Sequence, residues 1–359
     1  MNCKKTGALM FKSLTLAILL SILTWQSVAA QKSQPFTFVY NSLNYVGEIV
    51  EPENNSKGII FIIPGDGPTD FVKGDNWIGE RDFFVNEGYA VVYWDKAGSG
   101  LSEGEYDYTQ TIESSAKEAL EAIKTIKGLS IEGSDNLGIW GISRAGWVVP
   151  KIMELYGEIN FWISVSGTTE LDNSRYMAKA NLIAAGRTGE KLELLMSEWD
   201  EYQRILVRGG TLEEFKAKTK NLLADKSFNS RGIVPSEDMI KGFNNYYKTA
   251  PFKMDERTNL AIMYPNFEKA LENISIPVLA VLGKLDSQVD WKKTGELYKK
   301  VARKNKMALK TVYLDNCNHV MHKSETGALG EELGDKPAPC DGYYDSMKNW
   351  LNDIENSGQ

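Results

Sequence analysis

The run Gly141-Ile142-Ser143-Arg144-Ala145-Gly146 sets one serine between small residues, after the apolar stretch 137–140 and before a helix-forming stretch, 144–156. A tight turn from strand to helix strains the backbone at its apex and brings neighbouring chain close, so it needs small residues on either side. The apex side chain then stands above the sheet edge, and the following helix begins beside it with the positive end of its dipole. A serine hydroxyl so placed is positioned to attack an acyl carbonyl. The pattern G-x-S-x-[GA] is weak by itself; the strand before it and the helix after it supply the context that gives it meaning.

Serine is a poor nucleophile without a base, and histidine is the usual base near neutral pH. The chain has two histidines, His319 and His322, both late in the sequence and just after the last strand, 308–314. Chain order and loop position favour His319, preceded by Asn318, with His322 as the alternative. The base in turn needs an acid to fix its tautomer and stabilise the imidazolium. Gly283-Lys284-Leu285-Asp286 directly follows the apolar stretch 277–282, which places Asp286 at the carboxyl edge of a strand, where open α/β sheets gather ligands. Asp290, a helical turn further on, is the second candidate.

The elements that must hold these groups read as follows. Residues 36–40 and 45–50 form an antiparallel pair around Asn41-Ser42. Beyond them strands and helices alternate: strand 58–63, helix 77–86, strand 89–94, helix 111–127, strand 137–140, helix 144–156 and strand 161–165. Continuous apolar strands between helices imply a mostly parallel sheet covered on both faces. From 170 to 271 the chain is rich in charge and helix formers with no convincing strand, which reads as a helical lid inserted in the core. The sheet resumes with strand 277–282, helix 291–304 and strand 308–314, and 343–354 closes the chain as an amphipathic helix. The expected organisation is a signal peptide over 1–30, core over 31–169, lid over 170–271 and core again over 272–359.

Asp95-Lys96-Ala97-Gly98-Ser99-Gly100-Leu101-Ser102 resembles the D-x-x-G-x-G-x-S turn of α/β-hydrolases. The elbow Gly141 to Trp147, with Pro150 beyond, resembles that of bacterial esterase and serine-aminopeptidase-like members. The resemblance covers nearly all of the chain after residue 30 except the insertion. It implies the α/β-hydrolase fold and the order nucleophile, acid, base that Ser143, Asp286 and His319 follow. It also implies an oxyanion hole made of the amide after the nucleophile, Arg144, and one from the loop Pro64-Gly65-Asp66-Gly67-Pro68, which resembles H-G-S-G-P and would use Asp66. Pro64 stands in place of the family's histidine and Asp66 in place of a small neutral residue. A carboxylate aimed at an oxyanion opposes catalysis, so the Asp66 side chain is expected to turn away, toward Arg144.

Composition narrows the function. The 359 residues carry 41 basic and 48 acidic groups, net −7; Lys4, Lys5 and Lys12 lie in the first thirty, leaving 38 basic against 48 acidic beyond them. That balance disfavours nucleic acid as a partner. Gly98-Ser99-Gly100 does not fit G-x-G-x-x-G, and no G-x-x-x-x-G-K-[ST] occurs, so no nucleotide cofactor is expected. Cysteines and histidines are too few for a zinc cage, and no metal is expected. The three lysines, the apolar stretch 14–23 and Val28-Ala29-Ala30 read as a cleavable secretory signal, too short for a comfortable membrane span, with an uncleaved anchor as the rival. An exported, periplasmic or secreted enzyme without stable membrane insertion is the expectation. In such a compartment Cys317 and Cys340 could pair.

The expected activity is hydrolysis of carboxylic esters through an acyl-enzyme on Ser143, acting on a small acyl ester. A serine aminopeptidase-like enzyme acting on short peptides is the nearest alternative; Glu198, Asp200 and Glu201 of the insertion would then hold the substrate's free amine. A homologue that binds ligands without turning them over is a third. Trp199, Tyr202, Phe215, Tyr246, Tyr247 and Tyr264 serve either the core of the insertion or its substrate surface. Oligomeric state is not readable from the sequence.

Overall fold

The computed structural model describes residues 32–229, 232–331 and 338–357. The signal peptide read in residues 1–30 lies outside them. The first hairpin joins β1 (Lys32–Tyr40) to β2 (Leu43–Glu51) in antiparallel register, from Lys32↔Glu51 to Tyr40↔Leu43. Its turn residues, Asn41 and Ser42, have φ of 49° and 62°. Two left-handed residues in a row give a turn whose twist matches the strands it connects.

The alternation then follows as β3 (Ile59–Ile63), α1 (Ile78–Asn86), β4 (Ala90–Trp94), α2 (Ile112–Gly128), β5 (Leu137–Ile142), α3 (Ala145–Leu155) and β6 (Phe161–Val165). The insertion contributes α4 (Ser174–Ala184), α5 (Gly189–Arg208), α6 (Leu212–Lys218), α7 (Lys220–Ala224), α8 (Glu237–Thr249), β7 (Lys253–Met254) and β8 (Ala261–Ile262). The chain finishes with α9 (Phe267–Glu272), β9 (Val278–Gly283), α10 (Trp291–Asn305), β10 (Leu309–Leu314) and α11 (Tyr343–Ser357). The large sheet has eight strands in the order β1-β2-β4-β3-β5-β6-β9-β10. β2 meets β4 antiparallel, and every pairing from β4 onward to β10 is parallel.

Side-chain alternation divides the interior into two layers. Ile59, Phe61, Ile139 and Trp162 face Ile123 of α2, Val149 of α3, Phe267 of α9 and Tyr298 of α10. Ile60, Ile62, Trp140 and Ile163 face Phe84 of α1 and Met347 and Trp350 of α11. Both faces of the central strands are therefore covered, which is why they are apolar almost throughout, Ser164 of β6 being an exception. Local signals set the helix starts: the Thr111 hydroxyl accepts from the Ser114 amide at the head of α2, and the Asp290 carboxylate accepts from the Lys293 amide at the head of α10.

The stretch read as one insertion over 170–271 divides in two. Leu171 bridges Ile262, the Asp172 amide donates to Ala261 O at 2.9 Å, and the Met263 amide donates to Glu170 O at 3.0 Å. The chain from 171 to 262 thus leaves and returns at one point. It has apolar centres of its own, around Leu182, Leu195, Trp199 and Leu222 and around Ile205, Phe215 and Ile240. α9 instead packs Phe267 and Leu271 into the main core. The short pair β7–β8, Lys253↔Ile262 and Met254↔Ala261, was not expected from the sequence. Two residues per strand are too few for alternation to register. Among the described residues no helix is long and apolar enough to cross a membrane.

Glu80 on α1 is a charged side chain taken into this interior, at 7% exposure, beside Tyr343 of α11. Burial pushes its carboxyl up to about 7, outweighing the hydrogen bonds from its own backbone and from Tyr343 that pull the other way. A raised carboxyl contributes fully to stability below its unfolded value near 4.5, and the contribution is lost as pH climbs through about 7. At roughly 1.4 kcal/mol per pKa unit, that loss is on the order of 3 kcal/mol by pH 8. Glu80→Gln is expected to leave urea midpoints unchanged at pH 4 and to raise them at pH 8. Coincident midpoints at both pH values would contradict the assignment.

Candidate active site

Ser143 sits at the apex between β5 and α3 with φ 56°, a left-handed geometry that costs a non-glycine residue about 1–3 kcal/mol. The surrounding backbone holds it there: its amide donates to Val165 O on β6 at 3.0 Å, and its carbonyl accepts from the Gly146 amide at 2.8 Å. The small residues of the motif are explained by contact. A Cβ on Gly141 would lie 2.9 Å from the Ala145 Cβ, and one on Gly146 would lie 2.6 Å from the Thr168 amide nitrogen.

Asp286 and His319 reach the same edge from β9 and β10. One carboxylate oxygen of Asp286 accepts from the amides of Gln288 and Val289, both at 2.8 Å. The other lies 2.9 Å from His319 Nδ1, with both side chains buried. Donation from Nδ1 leaves the lone pair of the neutral imidazole on Nε2. The histidine loop is fixed from several sides. Its carbonyl accepts from Ser166 Oγ at 2.7 Å, and Asn318 Oδ1 accepts from the amides of Val320 and His322. The Leu285 amide donates to Cys317 O at 2.9 Å, and Cys317 is joined to Cys340 by a disulfide.

Ser143 and His319 line one cavity of about 840 Å³. The structure thus joins His319 to Asp286 and sets Ser143 and His319 on one cavity. Of the alternatives, Asp290 caps α10, and His322 lines the same cavity with a buried Nδ1 that has no hydrogen-bond partner among the described residues.

The loop expected to complete an oxyanion hole lies against the serine. A Cβ on Gly65 would be 3.1 Å from Ser143 Cβ. Among the described residues no protein group accepts a hydrogen bond from the amide of Asp66 or of Arg144. The Asp66 side chain is exposed, and its charge acts on Arg144 and Lys96. The expected Asp66–Arg144 pairing is a through-space attraction: the Arg144 guanidinium donates to Ser115 Oγ at 2.9 Å and to Gln110 O. Burial pulls the Arg144 pKa down and Asp66 opposes it.

Sequence reasoning singled out Asp95-Lys96-Ala97-Gly98 as a motif without assigning work to its charged residues. Asp95 accepts from the Phe71 amide at 2.6 Å and the Leu101 amide at 2.9 Å, so it ties the loop after β3 to the loop after β4. Gly100 is required because a Cβ there would fall 2.1 Å from the Asp95 carboxylate. Lys96 reaches the oxyanion loop itself. The only signal for either was a charged pair directly after a wholly apolar strand.

A second cavity, about 560 Å³, shares Ser143 and Asp66 with the first and adds Arg144, Trp147, Tyr246, Tyr247 and Phe252. Of the aromatic residues left open by the sequence, Tyr246 and Tyr247 line it, while Trp199 and Phe215 fill the centres of the insertion and Tyr264 joins the main core. The acidic residues suggested as an amine pocket are engaged otherwise. Glu198 holds Asn221 Nδ2 and the Leu222 amide, Asp200 pairs with Arg175, and Glu201 pairs with Arg204.

The family model for the X-Pro dipeptidyl-peptidases, S15 family, matches residues 18–321. The chain belongs to the S15 family. This S15 member has the α/β-hydrolase fold and is similar in structure to an esterase of Pyrococcus furiosus, at 13% identity and a TM-score of 0.53 over 91% of each chain. It is also similar to a proline iminopeptidase of Mycobacterium smegmatis, at 13% identity and 0.54 over 91% of this chain and all of that one. A carboxyl esterase of Bacillus coagulans gives 14% and 0.52 over 90% of this chain and 98% of its own. At such identities the likeness speaks for the fold. No curated protein matches the S15 sequence described here.

Proposed function

We propose that this S15 family member is an exported serine hydrolase that cleaves carboxylic esters through an acyl-enzyme on Ser143. The observation that carries the reading is the buried hydrogen bond from His319 to Asp286 beside the cavity that Ser143 also lines. Asp286 orients the imidazole and stabilises its cation; His319 takes the serine proton as the hydroxyl attacks the carbonyl carbon. The tetrahedral oxyanion receives the amides of Asp66 and Arg144, neither of which has another described acceptor. Collapse expels the leaving group, which carries off the proton held by His319, and water then repeats the cycle on the acyl-enzyme.

That proton transfer assigns the two cavities. The leaving group must sit within reach of the imidazole, so it occupies the side lined by His319, and the acyl group occupies the side lined by Arg144, Trp147, Tyr246 and Tyr247. The aromatic residues Trp147, Tyr246, Tyr247 and Phe252 on the acyl side suit an acyl chain or ring, among polar neighbours such as Gln110, Asp172 and Gln203.

Peptide substrates form the second reading, favoured by the family match over residues 18–321. A dipeptidyl enzyme needs a carboxylate for the free amine; Glu198, Asp200 and Glu201 are committed to internal partners, and the carboxylates that line the cavity beside Ser143 are Asp66 and Asp172. Export is supported by the basic, apolar and small-residue order of residues 1–30.

A substrate panel on protein secreted from the full chain tests these statements together. Short p-nitrophenyl esters are expected to be turned over with kcat/KM at least about 100-fold above Ala-Pro-p-nitroanilide, a gap of roughly 3 kcal/mol in transition-state binding. A fluorophosphonate is expected to label the protein, and its amino terminus is expected near Gln31. Preference for the anilide would transfer the assignment to the peptidase reading, and retained residues 1–30 would remove export.

A further inference from the structure

We propose that Lys96 is the positioning residue of the oxyanion site, holding the loop 64–68 so that the Asp66 amide faces the reacting carbonyl and setting a positive charge behind it. The inference rests on the serine-hydrolase reading and deepens it. Lys96 follows β4 and is 9% exposed. Its ammonium donates to Gly65 O at 2.6 Å and to Gly67 O at 2.8 Å. These are the carbonyls on either side of Asp66. Gly65 O belongs to the same planar trans peptide as the Asp66 N–H, so a cation holding that carbonyl points the amide hydrogen the opposite way, and the bond to Gly67 O fixes the loop on the far side of Asp66.

The lysine is itself fixed: its amide donates to Thr69 Oγ1 at 2.9 Å, and its carbonyl accepts from Ser99 Oγ at 2.8 Å. The brace therefore spans the loops after β3 and β4, the two that Asp95 also ties.

Charge explains why a lysine rather than a neutral donor is useful here. Asp66 brings a carboxylate to a site where negative charge develops in the transition state. Lys96 and Arg144 both feel that carboxylate, and both set positive charge against it beside the loop. The groups acting on Lys96 are Arg144, Asp66 and Glu118, with the Tyr106 ring 5.9 Å from its ammonium. Burial, then Arg144, bring its pKa down to about 8, with Asp66 and Glu118 opposing. Above that pH the amine still offers hydrogen-bond donors but no charge, so pH separates the electrostatic contribution from the brace.

The test compares wild type, Lys96→Met, Lys96→Arg and Ser143→Ala on a p-nitrophenyl ester from pH 6.5 to 9.5, with thermal melts of each. Lys96→Met is expected to lose about 30- to 300-fold in kcat, below the roughly 100- to 1000-fold for deleting an oxyanion donor outright because the amides themselves remain, with KM within about 3-fold. Lys96→Arg is expected to recover to within about 10-fold of wild type at pH 7, and to stay level above pH 8 while wild-type kcat falls. A Lys96→Met enzyme within about 3-fold of wild-type kcat, or a loss confined to KM, overturns the proposal. If Lys96→Met fails to fold, the other two profiles decide: a flat wild-type profile, or an arginine variant that falls in parallel with it, is equally fatal. Turnover surviving in Ser143→Ala would instead condemn the hydrolase reading beneath it.

Discussion

Ser143→Ala is expected to reduce kcat on a p-nitrophenyl ester by about 10^5- to 10^6-fold and to abolish fluorophosphonate labelling. In the proposed mechanism the Ser143 hydroxyl oxygen forms the covalent intermediate. What remains after its removal is the pair of amides and the imidazole, enough for a residual rate above water. The fold should not suffer, because the backbone at 143 is held by its bonds to Val165 and Gly146 rather than by its side chain. Ser143→Gly offers a sharper contrast. It should be equally inactive, yet its melting temperature should rise, since glycine adopts φ 56° without strain worth about 1 kcal/mol. An alanine variant that keeps more than about 1% of turnover would show that another group does the chemistry.

Asp286→Asn should cost about 10^4-fold in kcat while leaving the protein folded. The asparagine oxygen can still accept from the amides of Gln288 and Val289, so the loop keeps its shape. Its amino group, however, would face His319 Nδ1 where a carboxylate oxygen stood at 2.9 Å. A donor there drives the imidazole to place its proton on Nε2, the atom that must accept from serine. Because Asp286 and His319 are both buried, no bulk water corrects the tautomer. Asp290→Asn is the matched control, expected to touch only the cap of α10. If Asp290→Asn proved the more damaging of the two, the acid would have been misassigned.

The site was legible in sequence to the extent that its chemistry is local. Gly141, Ser143 and Gly146 could be read because one strained turn dictates their spacing, and Asp286 and His319 because each follows a strand at the same sheet edge. The two apolar layers were legible for a similar reason: strands buried on both faces admit few polar residues, Ser164 beside the Tyr298 hydroxyl being one. Long-range use of charge was not. Nothing near Lys96 announces that its target is a loop some thirty residues earlier, and nothing in Glu198, Asp200 or Glu201 announces that each already has a partner. The ends of the insertion were blurred because α9 has the same helix-forming composition as α4 to α8. Only packing separates it from them.

The bridge between Leu171 and Ile262 has a consequence for how such enzymes diversify. A segment whose entry and exit touch can be replaced wholesale, by a longer or shorter one, without disturbing the strands that carry Ser143, Asp286 and His319. Tyr246 and Tyr247 would leave with it, whereas Arg144 and Trp147 would stay. Selectivity for the acyl group is thus partly transplantable, and the bond-breaking apparatus is inherited separately.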